Sequence, residues 1–154
     1  MYRKYILALL IFLSCSLSSS EEHAFQGKHF MASYLECDPS ALEDLDALRF
    51  VMTAAVEASN ANILAINSHE FTGGGITIVY LLSESHASIH TYPEEGSCFV
   101  DLFTCGDDCS YTPFDEILRW YLKPKKAPTL LLLRDEDFVE LVPDLEDVSP
   151  CDLQ

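Results

Sequence analysis

Residues 73–108 read "GGGITIVYLLSESHASIHTYPEEGSCFVDLFTCGDD". Three runs rich in β-branched and aromatic residues lie in it, at 75–83, 86–92 and 98–105. Gly73 to Gly75 precede the first run, and Pro93 to Gly96 separate the last two. Such runs bounded by turn residues read as short strands joined by tight connections. Outward from this block, "NILAINSHEF" (62–71) and "KHFMASYLEC" (28–37) are two further strand candidates on its N-terminal side, and "APTLLLLR" (127–134) is one on its C-terminal side. Between residues 37 and 62, Asp38, Pro39 and Ser40 are start signals for a helix running to about Ser59. Leu42, Leu45, Leu48, Val51, Met52 and Ala55 recur at intervals of three and four along it, so one face packs on a sheet. "YTPFDEILRWYLK" (111–123) is a second helix. Helices flanking a four-strand stretch predict an α/β (α+β) fold: a two-layer sandwich with a largely antiparallel sheet and helices packed on one face.

Composition narrows what such a domain can do. The chain has 154 residues, 49% hydrophobic, with only 6 Gly and 7 Pro, which is enough to bury one core. It carries 25 acidic against 9 basic residues, a net charge of −16. That balance repels nucleic acid and anionic membrane surfaces and attracts cationic small molecules. In residues 1–20, Arg3 and Lys4 precede nine apolar residues, Tyr5 to Leu13, and then small polar ones. This is the order of a secretory signal, and nine apolar residues fall short of the roughly 20 needed to span a bilayer. Cys15 offers lipid anchoring as an alternative, so the expectation is an exported or envelope-associated protein with a membrane tether, or a cytoplasmic one if the segment is not functional. Residues 21–136 form the expected functional domain, and 137–154 an acidic, solvated tail.

The cluster "SESHASIH" (83–90) places three serines and two histidines inside an apolar block. His86 and His90 have the i, i+4 spacing that binds zinc on a helix. On a strand they stand about 13 Å apart at ~3.3 Å per residue, and Ile89, Thr91, Tyr92 and Pro93 oppose a helix. Cys98, Cys105 and Cys109 lack a paired C-x-x-C, so no metal is expected. No G-x-S-x-G elbow supports a nucleophilic triad. One reading is a strand whose polar face turns His86, Ser88 and His90 to solvent. The other is self-cleavage at the Glu84–Ser85 bond, where a hydroxyl stands beside its own preceding carbonyl, with a second hydroxyl at Thr77 and an imidazole at His90.

The ordered segments "GKHFMASYLECDPSALEDL", "HEF", "GGGIT", "SESHASIHTYPE" and "VDLFTCGD" resemble the prokaryotic S-adenosylmethionine decarboxylase proenzymes, pyruvoyl-dependent enzymes of spermidine synthesis. The similarity runs from about Gly27 to Arg134, and the "ESH-x-x-IHT-aromatic-PE … TCGD" block is specific to that family. The resemblance implies that Ser85 attacks the carbonyl of Glu84, that an ester forms by acyl shift, and that elimination and hydrolysis leave a pyruvoyl group derived from Ser85. That group would hold the substrate amine as a Schiff base while carbon dioxide leaves. His90 and Thr77 fall on the processing positions, Thr77 keeping the family's serine hydroxyl and adding a methyl. Cys105 falls on the proton donor, and an ordinary thiol with a pKa of about 8.5 is mostly protonated at neutral pH, as a donor must be. Phe71 and Tyr92 match the rings that stack on adenine, and Glu94 the carboxylate that binds the ribose.

Tyr92 stands where tryptophan is more usual, and Ile78 where a glycine often sits. The resemblance further implies a homodimer of cleaved protomers with a site built at the interface, and a small cationic substrate. Relatives that decarboxylate ornithine or arginine keep the basic amino acids as an alternative substrate, and an inactive exported amine-binding domain is a reading of another class. Residues 85 and 90 are an odd number apart, so a regular strand would set them on opposite faces. A kink or strand end is therefore expected near the cleavage position. Cys37, Cys98, Cys109 and Cys151 are candidates for disulfides in a pairing that the spacing leaves open.

Overall fold

The structure is a computed structural model and describes residues 26–106, 108–136 and 139–142. Seven strands form a single sheet: β1 (Gly27–Tyr34), β2 (Ile63–Glu70), β3 (Ile76–Leu82), β4 (Ser85–Tyr92), β5 (Ser97–Thr104), β6 (Thr129–Arg134) and β7 (Val139–Val142). Their order is β2-β3-β4-β5-β1-β6-β7, and every neighbouring pair is antiparallel. Three helices, α1 (Pro39–Leu42), α2 (Leu45–Ala58) and α3 (Thr112–Leu122), make the second layer. The domain is thus the α+β sandwich that the strand and helix patterns predict.

Alternation along the strands separates the two faces. Ile76, Ile78, Tyr80 and Leu82 of β3, Ala87 and Ile89 of β4, and Val100 and Leu102 of β5 are buried. They join Leu48, Met52, Ala55 and Val56 of α2 and Phe114, Leu118 and Leu122 of α3 in one core. Each fully buried Leu, Ile or Phe there contributes about 1.5–3 kcal/mol relative to an exposed side chain. Tyr34 of β1 donates its hydroxyl proton to Asp115 Oδ1 at 2.5 Å, and the same carboxylate accepts from Arg119 Nε at 2.8 Å. This bond fixes α3 over the sheet, and burial, together with it, pushes the Tyr34 phenol far up from its ordinary value.

Among the described residues, no helix lies on the opposite face of the sheet. Cross-strand register lines up Leu81, His86, Phe103, His29, Leu132 and Leu141 in one row, and Val79, Ser88, Asp101, Met31 and Leu130 in the next. Val79, Leu81, Phe99, Leu130, Val139 and Leu141 on this face are exposed large apolar residues.

Three boundaries differ from the sequence expectation. The helix from Asp38 to Ser59 is two helices: Asp38 caps the first through Ser40 N at 3.1 Å, and Asp44 caps a fresh one through Ala47 N at 3.0 Å. Asp44 competes for backbone N–H groups and so restarts the helix in a new direction. The strand drawn to Cys37 ends at Tyr34, because Glu36 takes a positive φ of 55°. The residues assigned to the start of an acidic tail include β7, which pairs Val139 with Arg134 and Leu141 with Leu132. Residues 1–20 and 143–154, with Cys15 and Cys151, lie outside the described residues, and among the described residues no helix is long and apolar enough to cross a membrane.

Candidate active site

The candidate residues fall into two groups at opposite ends of β4. Thr77 is opposite His90 in the β3–β4 register, and Thr77 Oγ1 lies 2.9 Å from His90 Nδ1, a hydrogen bond that orients the imidazole. Phe71 follows β2, and Tyr92 and Glu94 sit where β4 runs into the 3-10 turn Pro93–Glu95. Phe71, Thr77, His90, Tyr92 and Glu94 all line one cleft of about 360 Å³. Both rings are open to solvent, Phe71 54% and Tyr92 41% exposed. Phe71 meets His69 edge-on at 4.6 Å and Tyr92 meets Phe99 edge-on at 5.5 Å, so each is steadied on one side and free on the other.

Glu84, Ser85 and Cys105 form the second group. Ser85 is the first residue of β4 and takes a φ of 155°, a positive value that non-glycine residues rarely adopt. Such a backbone costs about 1–3 kcal/mol and persists only where surrounding contacts enforce it. Those contacts are on the preceding residue. The carbonyl oxygen of Glu84 accepts the backbone N–H of Cys105 at 3.0 Å. The Glu84 carboxylate accepts from Asn62 N at 2.9 Å, Asn62 Nδ2 at 2.7 Å and the Ser83 hydroxyl at 2.7 Å. Burial opposes ionisation of Glu84, and these donors outweigh it, holding the carboxyl below its ordinary range. Gly106 lets the loop after β5 close on Glu84: a Cβ there would stand 3.1 Å from Glu84 Cγ and 2.8 Å from Cys109 Sγ. The Ser85 hydroxyl lies 3.1 Å from His86 Nδ1. Cys105, at the end of β5, is exposed.

β4 therefore carries a strand end at Ser85, as the odd spacing from His90 predicts. The two groups do not meet within one protomer, since five residues of strand separate Ser85 from His90 by roughly 16 Å.

Between the groups lies a polar patch that the sequence reading passed over. His29 Nε2 is 3.4 Å from Asp101 Oδ1, at ion-pair distance but without hydrogen-bond geometry. The Ser88 hydroxyl donates to Asp101 Oδ2 at 3.1 Å. The rings of His29 and His86 approach Phe103 at 5.4 and 5.7 Å, and the Arg134 guanidinium lies 4.7 Å above the same ring. Ser88 is thus buried rather than turned to solvent with His86 and His90. The sequence signal for this patch is Asp101, a lone carboxylate in an otherwise apolar strand. Among the described residues no three His, Cys, Asp or Glu side chains gather as metal ligands.

The chain is similar to proteins of one family. A family model described as S-adenosylmethionine decarboxylase matches residues 28–135. The S-adenosylmethionine decarboxylase proenzyme of Methanococcus maripaludis strain C7 is 37% identical over 110 residues, 70% of this chain and 88% of that relative. The proenzyme of Parasynechococcus marenigrum strain WH8102 is 46% identical over 81 residues, covering 53% of this chain and 63% of that relative. The crystal structure of the adenosylmethionine decarboxylase from Aquifex aeolicus VF5 superposes with a TM-score of 0.65 at 28% identity, over 79% of this chain and 98% of that one.

Burial holds the His29 imidazole below its ordinary value; Asp101 pulls the other way, and His86 and Arg134 add to the lowering. The unfolded chain therefore binds this proton more tightly than the folded one. The stability His29 contributes is complete above its unfolded pKa of about 6.5 and is lost as pH falls through that value toward the folded pKa. Urea midpoints measured from pH 8 to pH 5 should fall more steeply for the natural chain than for His29→Gln, and identical slopes would exclude His29 as the cause.

Proposed function

Because the chain belongs to the S-adenosylmethionine decarboxylase family, we propose that it cuts itself between Glu84 and Ser85 and then decarboxylates S-adenosylmethionine for spermidine synthesis. The observation that carries this reading is the Glu84–Ser85 peptide: a strained serine whose preceding carbonyl is already held by a backbone donor. Attack of Ser85 Oγ on the Glu84 carbonyl carbon makes that oxygen negative, and the Cys105 N–H is aimed at it as an oxyanion donor. Collapse breaks the C–N bond, leaving an ester to Ser85 and a free amine on the same residue. His90, oriented by Thr77, is suited to take the Ser85 α-proton, which expels the Glu84 carboxylate; hydration of the remaining dehydroalanine then releases ammonia.

The pyruvoyl group so formed supplies a ketone that captures an amine and an electron sink for the departing carbon dioxide. The residues around Ser85 fit its formation. Cys105, exposed beside that position, returns a proton to the substrate carbon. Phe71 and Tyr92 present open ring faces to adenine, with Tyr92 also suited to the sulfonium cation, and Glu94 accepts the ribose hydroxyls. The acidic charge of the chain favours a cationic substrate.

His90 and Ser85 act on the same atoms yet stand at opposite ends of one strand, so the reading requires a second copy. Two protomers facing their open sheets about a two-fold axis place the Ser85 end of one against the His90 end of the other. The exposed apolar rows on that face supply the buried surface. Export through residues 1–20 belongs to the same proposal.

The purified protein is expected to run as two chains, the second starting at residue 85 and blocked at its N-terminus. A single intact chain in mass spectrometry would end this reading, whereas Ser85→Ala should stay whole and Cys105→Ala should lose turnover even where it is cut. Carbon dioxide release should occur from S-adenosylmethionine, with Phe71→Ala or Tyr92→Ala each costing ~1–3 kcal/mol of binding, the scale of one aromatic stack. Release from arginine or ornithine alone, indifferent to both rings, would replace the substrate and keep the chemistry. Finally, His90→Ala chains, inert alone, should be cut when refolded together with Ser85→Ala chains, since the mixed dimer holds one complete site. Absence of cutting in isolated mixed dimers would place both residues in one protomer.

A further inference from the structure

Cys37 and Cys98 meet on the helix-covered side of the sheet, away from the site. Cys98 is the second residue of β5 and pairs in register with Tyr34 on one side and Thr91 on the other. Cys37 reaches it from beyond β1: its backbone N–H donates to the Gly96 carbonyl at 2.8 Å, just ahead of β5. Both side chains belong to one core cluster, with Cys98 0% and Cys37 7% exposed. Both are free thiols in the structure, and the interaction between them, with burial, pushes the Cys98 thiol up. Cys105 and Cys109 occupy other surroundings, the former exposed and the latter bonded to the Asn60 carbonyl.

We infer that Cys37 and Cys98 are a disulfide pair, and that once the Glu84–Ser85 bond is cut this disulfide ties the two product chains together. Cys37 lies in the segment ending at Glu84 and Cys98 in the segment beginning at Ser85, so the link would be the sole covalent one that the described cysteines can make across the cut by direct thiol contact. The pairing itself stands on the Cys37–Gly96 backbone bond and the shared burial of the two side chains; only its role as a tie rests on the processing reading. The oxidant is a low-molecular-weight disulfide such as oxidised glutathione. The Cys37 thiolate attacks one of its sulfurs, releasing one reduced thiol and leaving a mixed disulfide; the Cys98 thiolate then displaces the second. Two protein thiols give up two protons and two electrons in all, and one small disulfide becomes two thiols. Cys37 is suited to attack first because it is the more accessible of the two. Since both sulfurs are buried, the exchange runs while the chain folds or through local opening.

The test uses the full chain, refolded with reduced and oxidised glutathione, then alkylated under denaturing conditions and digested without reductant. A peptide linking Cys37 to Cys98 is expected, absent after reduction and absent from Cys37→Ala and Cys98→Ala. On gels the cut protein should show one band without reductant and two with it, and either single variant should show two in both. Both residues fully alkylated after oxidation, or links made to Cys105 or Cys109 instead, would overturn the inference. If the chain is not cut, the gel shows one band throughout while the linked peptide still reports the pair, so failure of the processing reading and failure of this one give different results.

Discussion

The length of β4 is the constraint from which the site follows. An eight-residue strand spans roughly 26 Å, and hydrogen bonding to β3 on one side and β5 on the other leaves it no freedom to fold back. Ser85 at one end and His90 and Tyr92 at the other therefore stay apart within the same sheet. The chain thus presents two separate clusters, one rich in backbone donors around Glu84 and one rich in aromatic rings around Thr77 and His90. Under the proposed pairing of two copies, a two-fold axis lying between the facing sheets and perpendicular to the strands exchanges strand ends, so the distance that divides the two clusters in one chain would join them between two.

At the Ser85 end the sheet itself prepares the reacting peptide. In a regular strand the Glu84 carbonyl would be one more ladder acceptor, and it is: Cys105 N–H donates to it as β5 ends. The same bond that completes the ladder would polarise the carbonyl for the proposed attack, and it exists because Ser85 is the first residue of a strand rather than part of a loop. Asn62 and Ser83 hold the Glu84 side chain from the other direction. With Glu84 held at both ends, the unusual φ of Ser85 is enforced rather than relaxed.

How much of this the sequence discloses depends on whether a signal is local. The runs 75–83, 86–92 and 98–105 announce three central strands because β-branched residues and turn residues act over a few positions. The strand end at Ser85 is one of the two outcomes, kink or strand end, expected from the odd spacing once the resemblance pairs Ser85 with His90. The division of one helix into α1 and α2 was hidden because Leu42 and Leu45 keep a helical interval while Asp44, an ordinary surface residue by composition, captures Ala47 N. β7 was hidden by its acidic setting: Glu140 and its neighbours read as solvated chain, and only pairing with β6 gives Val139 and Leu141 a place. At the site, Thr77, His90, Phe71, Tyr92 and Glu94 were named by motif and do converge on one cleft. The His29–Asp101–Ser88 patch was not named, because its members come from three strands and only register brings them together.

That patch also bears on how the open face can close. Apolar rows alone would let two sheets slide over one another, since a residue slipped by two positions meets a similar neighbour. Asp101 breaks that equivalence. Its two oxygens are already engaged, one by the Ser88 hydroxyl and one within ion-pair reach of His29, so it can be covered without the full cost of an unpaired buried carboxylate. Under the proposed pairing, an alignment that set this carboxylate against an apolar residue such as Leu81 or Leu130 would offer it no further donor. A polar group that is tolerable in one alignment and costly in the others would fix the alignment, which is what the proposed site between strand ends requires.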